Sequence, residues 1–447
     1  MTDDEAHAIL DSLLKDARAA GAGAADALLY NAVSSGVSWR LGKLEDVERS
    51  EGRDLGLRIL CGRRQASVST TDMSKPALKD LVERCAAMAK AAPEDPYCGL
   101  APAERLARPP FPELDLGDFD EPAAETLKAR AAACEAAALA VKGIVNSSGA
   151  GASYGETRRW FATSHGFFGA SGGSRHSVSV SVVAKDAKGM ERDYDYDSKT
   201  HYADMRAPDA IGTRAGDRAV KRLSPRKLKS QTASVLYDKR VADSLLGHLA
   251  GAANGAAIAR GVSFLKAKKG ETIFPAGMNV IDDPHIRRGH GSRPFDGEGV
   301  AASRLKLIDN GVLTDWLMNS AQARQLALET NGRATRGLSG APGSGSTNLY
   351  LEPGVKSVDA LLAEARKGLF ITEMFGPQVN ANNGDYSVGC SGFWFENGAP
   401  AFPVSEITVA GNLLAMFAAL VAADDLEFTG ATNAPSLLVG EMTIAGD

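Results

Sequence analysis

The sequence predicts an α+β fold: two N-terminal helix-plus-antiparallel-sheet units followed by a mostly β, barrel- or sandwich-like C-terminal domain. Three observations carry this reading. Before residue 228 the hydrophobic spacing switches twice from a three-to-four-residue period to a two-residue period. A proline-dense connector separates the two switches. From Ser230 onward the chain breaks into short, glycine-rich alternating stretches with few helical segments. The three units are 1–95, 96–228 and 229–447. With 44% hydrophobic residues, 447 positions hold apolar material for several cores, since a single core stops growing near ~250–300 residues.

The opening MTDDEAH places Asp3 and Asp4 at the positive end of a helix whose face is Ile9, Leu10, Leu13, Leu14 and Ala17. From Ala25 to Thr70, DALLYNAV, VSWRLGKLEDVERS, DLGLRILCG and RQASVST alternate at period two and read as an antiparallel meander. A second helix carries Leu78, Leu81, Val82, Cys85 and Met88 on one side, and Pro93 to Pro122 is the extended connector. Pro122 to Val141 is helical again, with Leu127, Cys134 and Val141 aligned, and a second meander follows. Within it HSVSVSVVAK alternates strictly, the mark of a strand with one polar and one buried face. A helix over 203–223 closes this unit. Beyond the helix that starts after Leu236, only 320–328, 357–366 and 412–423 read as helical.

The net charge of −5, with both signs interspersed, excludes a nucleic-acid groove, which needs clustered cations to displace phosphate counterions. The densest basic run, Lys221 to Lys229, contains a proline and reads as a solvated boundary. Five scattered cysteines without a CxxC pair fit a reducing compartment and argue against disulfides or a thiolate zinc site. The acidic, amphipathic start is unlike a signal peptide, and no stretch reaches the ~18–20 apolar residues that span a bilayer. The expected location is the cytoplasm, with no membrane contact.

Candidate chemistry is sparse. No two histidines have the i, i+4 helical spacing of a zinc site. Asp282, Asp283, His285, His290, Asp296 and Glu298 crowd into 17 positions, but three arginines interleave them, and the segment reads as a polar surface loop with internal ion pairs. In Asp193-Tyr-Asp-Tyr-Asp197, a strand would set three carboxylates on a solvated face and bury Tyr194 and Tyr196. Cys390 lies in a glycine-rich turn with no histidine nearby in sequence, a poor setting for a nucleophile. GLSGAPGSGSTNLYLEPG lacks a P-loop lysine and leads into a strand over 347–351. The helix GHLAGAANGAA repeats glycine at 247, 251 and 255 beside a lone His248, a stripe suited to close packing.

The C-terminal run NGDYSVGCSGFWFENGAPAFPVSEITVAGNL resembles the signature of the TldD/PmbA family, in its PmbA (or TldE) branch. FDGEGVAASRLKLIDNGVLTDWLMNSAQARQLAL, THYADMRAPDAIGTRAGDRAVKRLSPRKL and the closing EMTIAGD match as well, so the likeness runs through nearly the whole chain. The resemblance implies a cytoplasmic two-subunit peptidase that degrades unstructured peptides and trims leader peptides. In it a zinc-bearing TldD-type subunit carries HExxxH on a helix, and zinc activates water there. Here His248 falls on the first position of that motif, Leu249 on the glutamate and Ala253 on the second histidine. The resemblance therefore implies a non-catalytic subunit without catalytic or metal-binding residues of its own, paired with a zinc-bearing TldD-type partner. The sequence leaves the oligomeric state in isolation open, a homodimer being one option. Asn382, Asp385, Tyr386, Ser387 and Glu396, in the polar loop and adjoining strand, are candidates for contacting an unfolded peptide held by strand addition. Two alternatives are a stand-alone homodimeric peptidase and a non-enzymatic peptide-binding modulator.

Overall fold

The computed structural model describes residues 1–446. Helix α1 (Asp3–Ala19) starts in a capping box between Thr2 and Glu5 and leads into strands β1 (Ala24–Arg40), β2 (Lys43–Cys61) and β3 (Arg64–Thr70). Helix α2 (Lys75–Ala91) follows, then the connector, α3 (Ala124–Leu139), β4 (Ile144–Thr163), β5 (Phe168–Lys185), β6 (Met190–Lys199) and α4 (Pro208–Lys221). The two meanders are one sheet. Strand order is β3-β2-β1-β4-β5-β6, and β1 pairs antiparallel with β4 from Asp26↔Thr163 to Trp39↔Ala150.

All four helices cover the same face of this sheet. Leu10, Leu13 and Leu81 of α1 and α2 pack on Leu29, Leu55, Leu57 and Trp160. Leu127, Cys134 and Ile211 of α3 and α4 pack on Ala150, Ala152, Val178, Val180 and Val182. Ala150, Ala152 and Trp160 lie an even number of residues apart on β4, and in a strand that puts them on one side. Gly212 lets α4 press against α3 so closely that a Cβ there would overlap the Cys134 carbonyl. The opposite face of the sheet meets the C-terminal domain, where Leu28, Phe161, Phe167 and Phe295 form a small separate core.

Strand β6 reverses the expected facing of its acidic run. Asp193, Asp195 and Asp197 are buried at 2%, 4% and 5% exposure, whereas Tyr196 is 48% exposed. The carboxylates share the helix-covered face with Val178, Val180 and Val182, their cross-strand partners. Arginines neutralise them there. Arg218 Nη1 lies 2.8 Å from Asp195 Oδ1, Arg206 Nη1 2.8 Å from Asp195 Oδ2, and Arg222 Nη1 3.5 Å from Asp193 Oδ2. The basic run at 221–229 is accordingly not a fully solvated boundary, because Arg222 and Leu228 are buried.

In the C-terminal domain, β7 (Gln231–Tyr237) joins strands 367–379, 385–396, 399–412 and 437–445 in a closed five-stranded barrel. Closure comes from Thr408↔Ala445 through Ala410↔Thr443. A second sheet of short strands contains 280–283, 305–309 and 348–351. Helix α5 (Lys239–Ala252) begins at Asp238, whose side chain caps the Arg240 N–H, and packs between barrel and second sheet. The other C-terminal helices are shorter than the sequence suggested, at Ser320–Gln325, Val358–Ala365 and Leu413–Ala418. The connector is docked rather than free. Asp118 accepts from Ser174 Oγ at 3.0 Å, contacts His176 Nε2 at 2.8 Å and accepts from the Tyr202 N–H at 3.2 Å.

Three outcomes follow from these charges. Arg222 serves Asp193 and also Glu373 of the barrel, so Arg222→Met should cost about 3–5 kcal/mol in urea unfolding. Removing the exposed Arg49–Glu121 pair by Arg49→Met should leave the urea midpoint almost unchanged. Asp118 is held down to about 2, since its hydrogen bonds from His176, Tyr202 and Ser174 outweigh the opposing effect of burial. A carboxyl depressed in the fold stabilises it above the unfolded pKa, and that contribution fades as pH falls through the folded value. Asp118→Asn should therefore cost on the order of 1 kcal/mol at pH 6, since solvent screens part of the interaction of this partly exposed carboxylate, and almost nothing near pH 2, measured by unfolding across pH.

Candidate functional site

The helix at the centre of the sequence argument is α5. Leu245, Leu246, Leu249 and Ala253 point into the main C-terminal core and are fully buried. Gly247 and Gly251 point the other way, exposed, with nothing within 4 Å of a Cβ built on either. The third glycine, Gly255, begins the next short helix and touches the Leu317 backbone, where a Cβ would sit 3.0 Å from the carbonyl oxygen. The glycine repeat is therefore two features: one close backbone contact within the chain and an open stretch on its surface.

His248 is half-buried against the barrel. Its ring meets that of Tyr386 edge-on at 5.7 Å, and its Nε2 is buried without a hydrogen-bond partner. Burial holds its pKa below the ordinary value, which keeps the ring neutral at pH 7. Behind it the Tyr237 and Tyr386 hydroxyls lie 3.4 Å apart, with Met374 and Met442 sulfurs beside them. Burial pushes Tyr386 up to about 12, so the pair stays protonated. Such a group can pack and polarise, but it offers no second nitrogen or carboxylate beside His248.

The five loop and strand candidates do not converge. Asn382 and Asp385 are exposed at the tip of the turn. Asp385 accepts from Asn383 Nδ2 at 2.7 Å and Asn412 Nδ2 at 3.1 Å, which fixes the turn. Tyr386 is only 2% exposed, in the barrel interior beneath His248. Ser387 is half-buried in the following strand. Glu396 lies at the far end of that 12-residue strand, roughly 36 Å away at ~3.3 Å per residue, and accepts from Trp394 Nε1 at 3.0 Å.

The carboxylates at 282–298 are mostly interior rather than surface groups. Asp282 and Arg333 form a fully buried ion pair, and Glu298 accepts the Ser320 N–H at 2.8 Å. Asp296 accepts three backbone N–H groups, from Glu298, Val300 and Ala334, at 2.8–2.9 Å. Burial and the neighbouring Glu298 charge push it up to about 7. These groups satisfy the backbone of an irregular segment that has no strand partner to do so. Cys390 is fully buried, and burial pushes its thiol up to about 12, leaving no thiolate to attack a substrate.

A zinc ion finds no matching donor set. Among the described residues no three His, Cys, Asp or Glu side chains gather to hold a metal, and the positions following His248 on the motif are Leu249 and Ala253. Sequence reasoning missed two arrangements. One is the arginine ladder on α4, signalled by Arg214, Arg218 and Arg222 at four-residue spacing. The other is a cleft carrying Arg159 and Arg175, which only the register of β4 with β5 brings together.

The chain thus combines a helix-covered antiparallel sheet with a closed five-stranded barrel on which α5 packs. The chain belongs to the PmbA/TldD metallopeptidase family: its residues 25–89, 117–223 and 230–446 match the models for PmbA/TldA metallopeptidase domain 1, central domain and C-terminal domain. It is 37% identical to the metalloprotease PmbA of Escherichia coli O157:H7 over 412 residues, covering 92% of this chain and 89% of that protein. Identity to the PmbA homologue of Haemophilus influenzae is 33%, covering 92% and 90%. Among solved structures, TldE from Thermococcus kodakarensis superposes with a TM-score of 0.87 at 18% identity, covering 98% and 100%, a likeness of fold.

The cysteines make the stand-alone nucleophile reading testable. Brief iodoacetamide treatment of the native chain, read by peptide mass spectrometry, should modify Cys61 or Cys98 first and leave Cys85, Cys134 and Cys390 unmodified until urea is added.

Proposed function

We propose that this chain is the non-catalytic, PmbA-type subunit of a two-subunit peptidase, pairing in the cytoplasm with a zinc-bearing TldD-type subunit. The observation that carries the reading is α5, where His248 stands alone and the positions of the motif's glutamate and second histidine are Leu249 and Ala253, both buried in the core. Neither can hold a metal or move a proton. The partner would supply zinc and the activated water, and this chain would supply shape and peptide contacts.

Two features support a role in enclosing an unfolded peptide. The exposed Gly247 and Gly251 leave bare helix backbone that another chain can approach closely. Strand β3 ends the six-stranded sheet, and a terminal strand can take a further one through main-chain hydrogen bonds with little sequence preference, whereas the Tyr194 and Tyr196 carbonyls on β6 at the other end already accept from Arg240 and Arg206. No described helix is long and apolar enough to cross a membrane. Leader-peptide trimming and degradation of unstructured peptides are the activities proposed for the assembled pair.

The test is metal analysis of the purified chain together with hydrolysis of an unfolded peptide, with and without a TldD-type subunit. The expected result is well under one zinc per chain, no cleavage by the chain alone, and chelator-sensitive cleavage by the mixture. Stoichiometric zinc with chelator-sensitive cleavage by the chain alone would overturn the reading in favour of a self-sufficient enzyme.

A further inference from the structure

The face of the six-stranded sheet away from the helices is not fully covered by the C-terminal domain. Between them lies a cleft of ≈ 350 Å³, and next to it a chamber of ≈ 130 Å³. Arg159 and Ser171 line both. Pairing of β4 with β5 sets the floor: Gly155 opposite Arg175, Thr157 opposite Gly173, Arg159 opposite Ser171. Alternate residues share a face, so the two arginines stand at opposite ends of a strip whose middle pair is Thr157 and Gly173. A Cβ at Gly155 would touch nothing within 4 Å, whereas one at Gly173 would meet the Leu116 carbonyl oxygen of the connector at 3.0 Å. Four residue steps along a strand separate the ends by roughly 13 Å.

Neither arginine has a carboxylate. Arg159 is held only by Nε donating to Ser171 Oγ at 3.2 Å, and its two terminal nitrogens are free. Arg175 donates Nη1 to His290 Nδ1 at 2.7 Å and Nη2 to the His290 carbonyl at 3.3 Å. His290 must be neutral to accept, and burial together with the Arg175 charge pushes it down to about 4. In the chamber beside Arg159, Arg293 donates Nη1 to the Ala334 carbonyl at 3.1 Å while its Nε and Nη2 are buried without any acceptor. A buried guanidinium with two unsatisfied donors costs free energy until an anion reaches it. Asp296 lines the same chamber, but its oxygens already accept three backbone N–H groups.

We propose that this cleft binds an acidic, extended peptide segment, with one carboxylate between Arg159 and Arg293 and a second, four residues along, at Arg175. An extended chain places side chains i and i+4 on one side at about the spacing of the two arginine ends. Its own backbone would pass over Gly155 and Thr157 on the β4 side, beside Leu116 of the connector, which covers Gly173. Guanidinium groups recognise carboxylates by paired, charge-assisted hydrogen bonds. The inference rests on the peptide-binding reading above and adds a charge preference to it.

Calorimetric titration tests it with unstructured nine-residue peptides, end-capped and rich in Gly, Ser and Ala, that carry aspartate at two positions four apart, at one, or at neither, with asparagine replacing each missing acid. The doubly acidic peptide should bind about tenfold tighter than the neutral one, and the singly acidic peptides should fall between. Arg159→Gln and Arg175→Gln should each lower the doubly acidic peptide to the singly acidic level and leave the neutral peptide unchanged. Equal binding of acidic and neutral peptides by the wild-type chain overturns the charge site and leaves the peptide reading standing. Binding of neither overturns both. Inorganic phosphate binding that depends on the same arginines, without any acidic-peptide preference, also overturns it and marks a small-anion site. Because the peptide series on the wild-type chain decides by itself, a variant that fails to fold does not spare the proposal.

Discussion

The architecture depends on a row of buried acids on a strand being met by arginines from the helix packed across it. On β6 the carboxylates of Asp193, Asp195 and Asp197 recur every two residues, a step of roughly 6.6 Å. On α4, Arg214, Arg218 and the capping Arg222 recur every four, a step of about 6 Å. Laid antiparallel, the two rows meet: Arg222 with Asp193, and Arg218 and Arg214 with Asp195. Arg206, preceding the helix, reaches Asp195 and Asp197. Burying such charges is costly unless each finds its partner, so the row tolerates only one placement of α4 on the sheet. The row also extends beyond the sheet. Arg240 of α5 reaches Asp193 at 2.9 Å, and Glu373 of the barrel takes Arg222 and Arg192. One network thus fixes the helix on the sheet and the sheet against the barrel, and it thereby sets where α5 and the opposite-face cleft lie.

That network marks the limit of what the sequence tells a reader. Period-two alternation in HSVSVSVVAK and in the acidic run predicts strands, and strands are found. Alternation says that the two faces differ, but it does not say which face is inside. Hydrophobicity suggested burying Tyr194 and Tyr196. The decision is made instead by arginines arriving some twenty residues later on a helix, and they make an acidic face the buried one. The same limit applies to 282–298, where apparent surface polarity becomes interior anchoring because an irregular backbone needs acceptors. Helix α1, with its capping box and its apolar spacing, was readable because every determinant is local.

For the candidate site the balance is similar. Adjacent positions in sequence gave Asn382 and Asp385 together at a turn, but the strand that follows carries Glu396 to the far end and turns Tyr386 inward. Tyr386 and His248, 138 positions apart, end in ring contact because β7 and α5 bring the helix onto the barrel. Arg159 and Arg175 share a face through strand register, a quantity no single segment encodes. What the sequence did contain was a negative statement about α5: one histidine, with leucine and alanine where a metal motif would continue.

The packing of α5 turns that negative statement into a structural commitment. Leu249 and Ala253 are not merely non-ligating residues on a helix otherwise ready for metal. Both are completely buried in the largest core, with Leu245, Leu246 and the barrel residues. A glutamate at 249 would bring a carboxylate into that apolar contact with no cation to pair it, at a cost of several kcal/mol. A histidine at 253 would need volume that an alanine-sized site lacks, and overpacking costs about 1–3 kcal/mol more. Restoring the motif one residue at a time would therefore unpack the domain before it assembled a ligand set. The exposed side of the helix has no such constraint. Gly247 and Gly251, open to solvent, cost about 1 kcal/mol each in helix propensity relative to alanine and contact nothing within the chain. The two faces of the helix thus differ in kind: the buried one has no room for a ligand set, and the outer one keeps bare backbone at a cost in helix propensity.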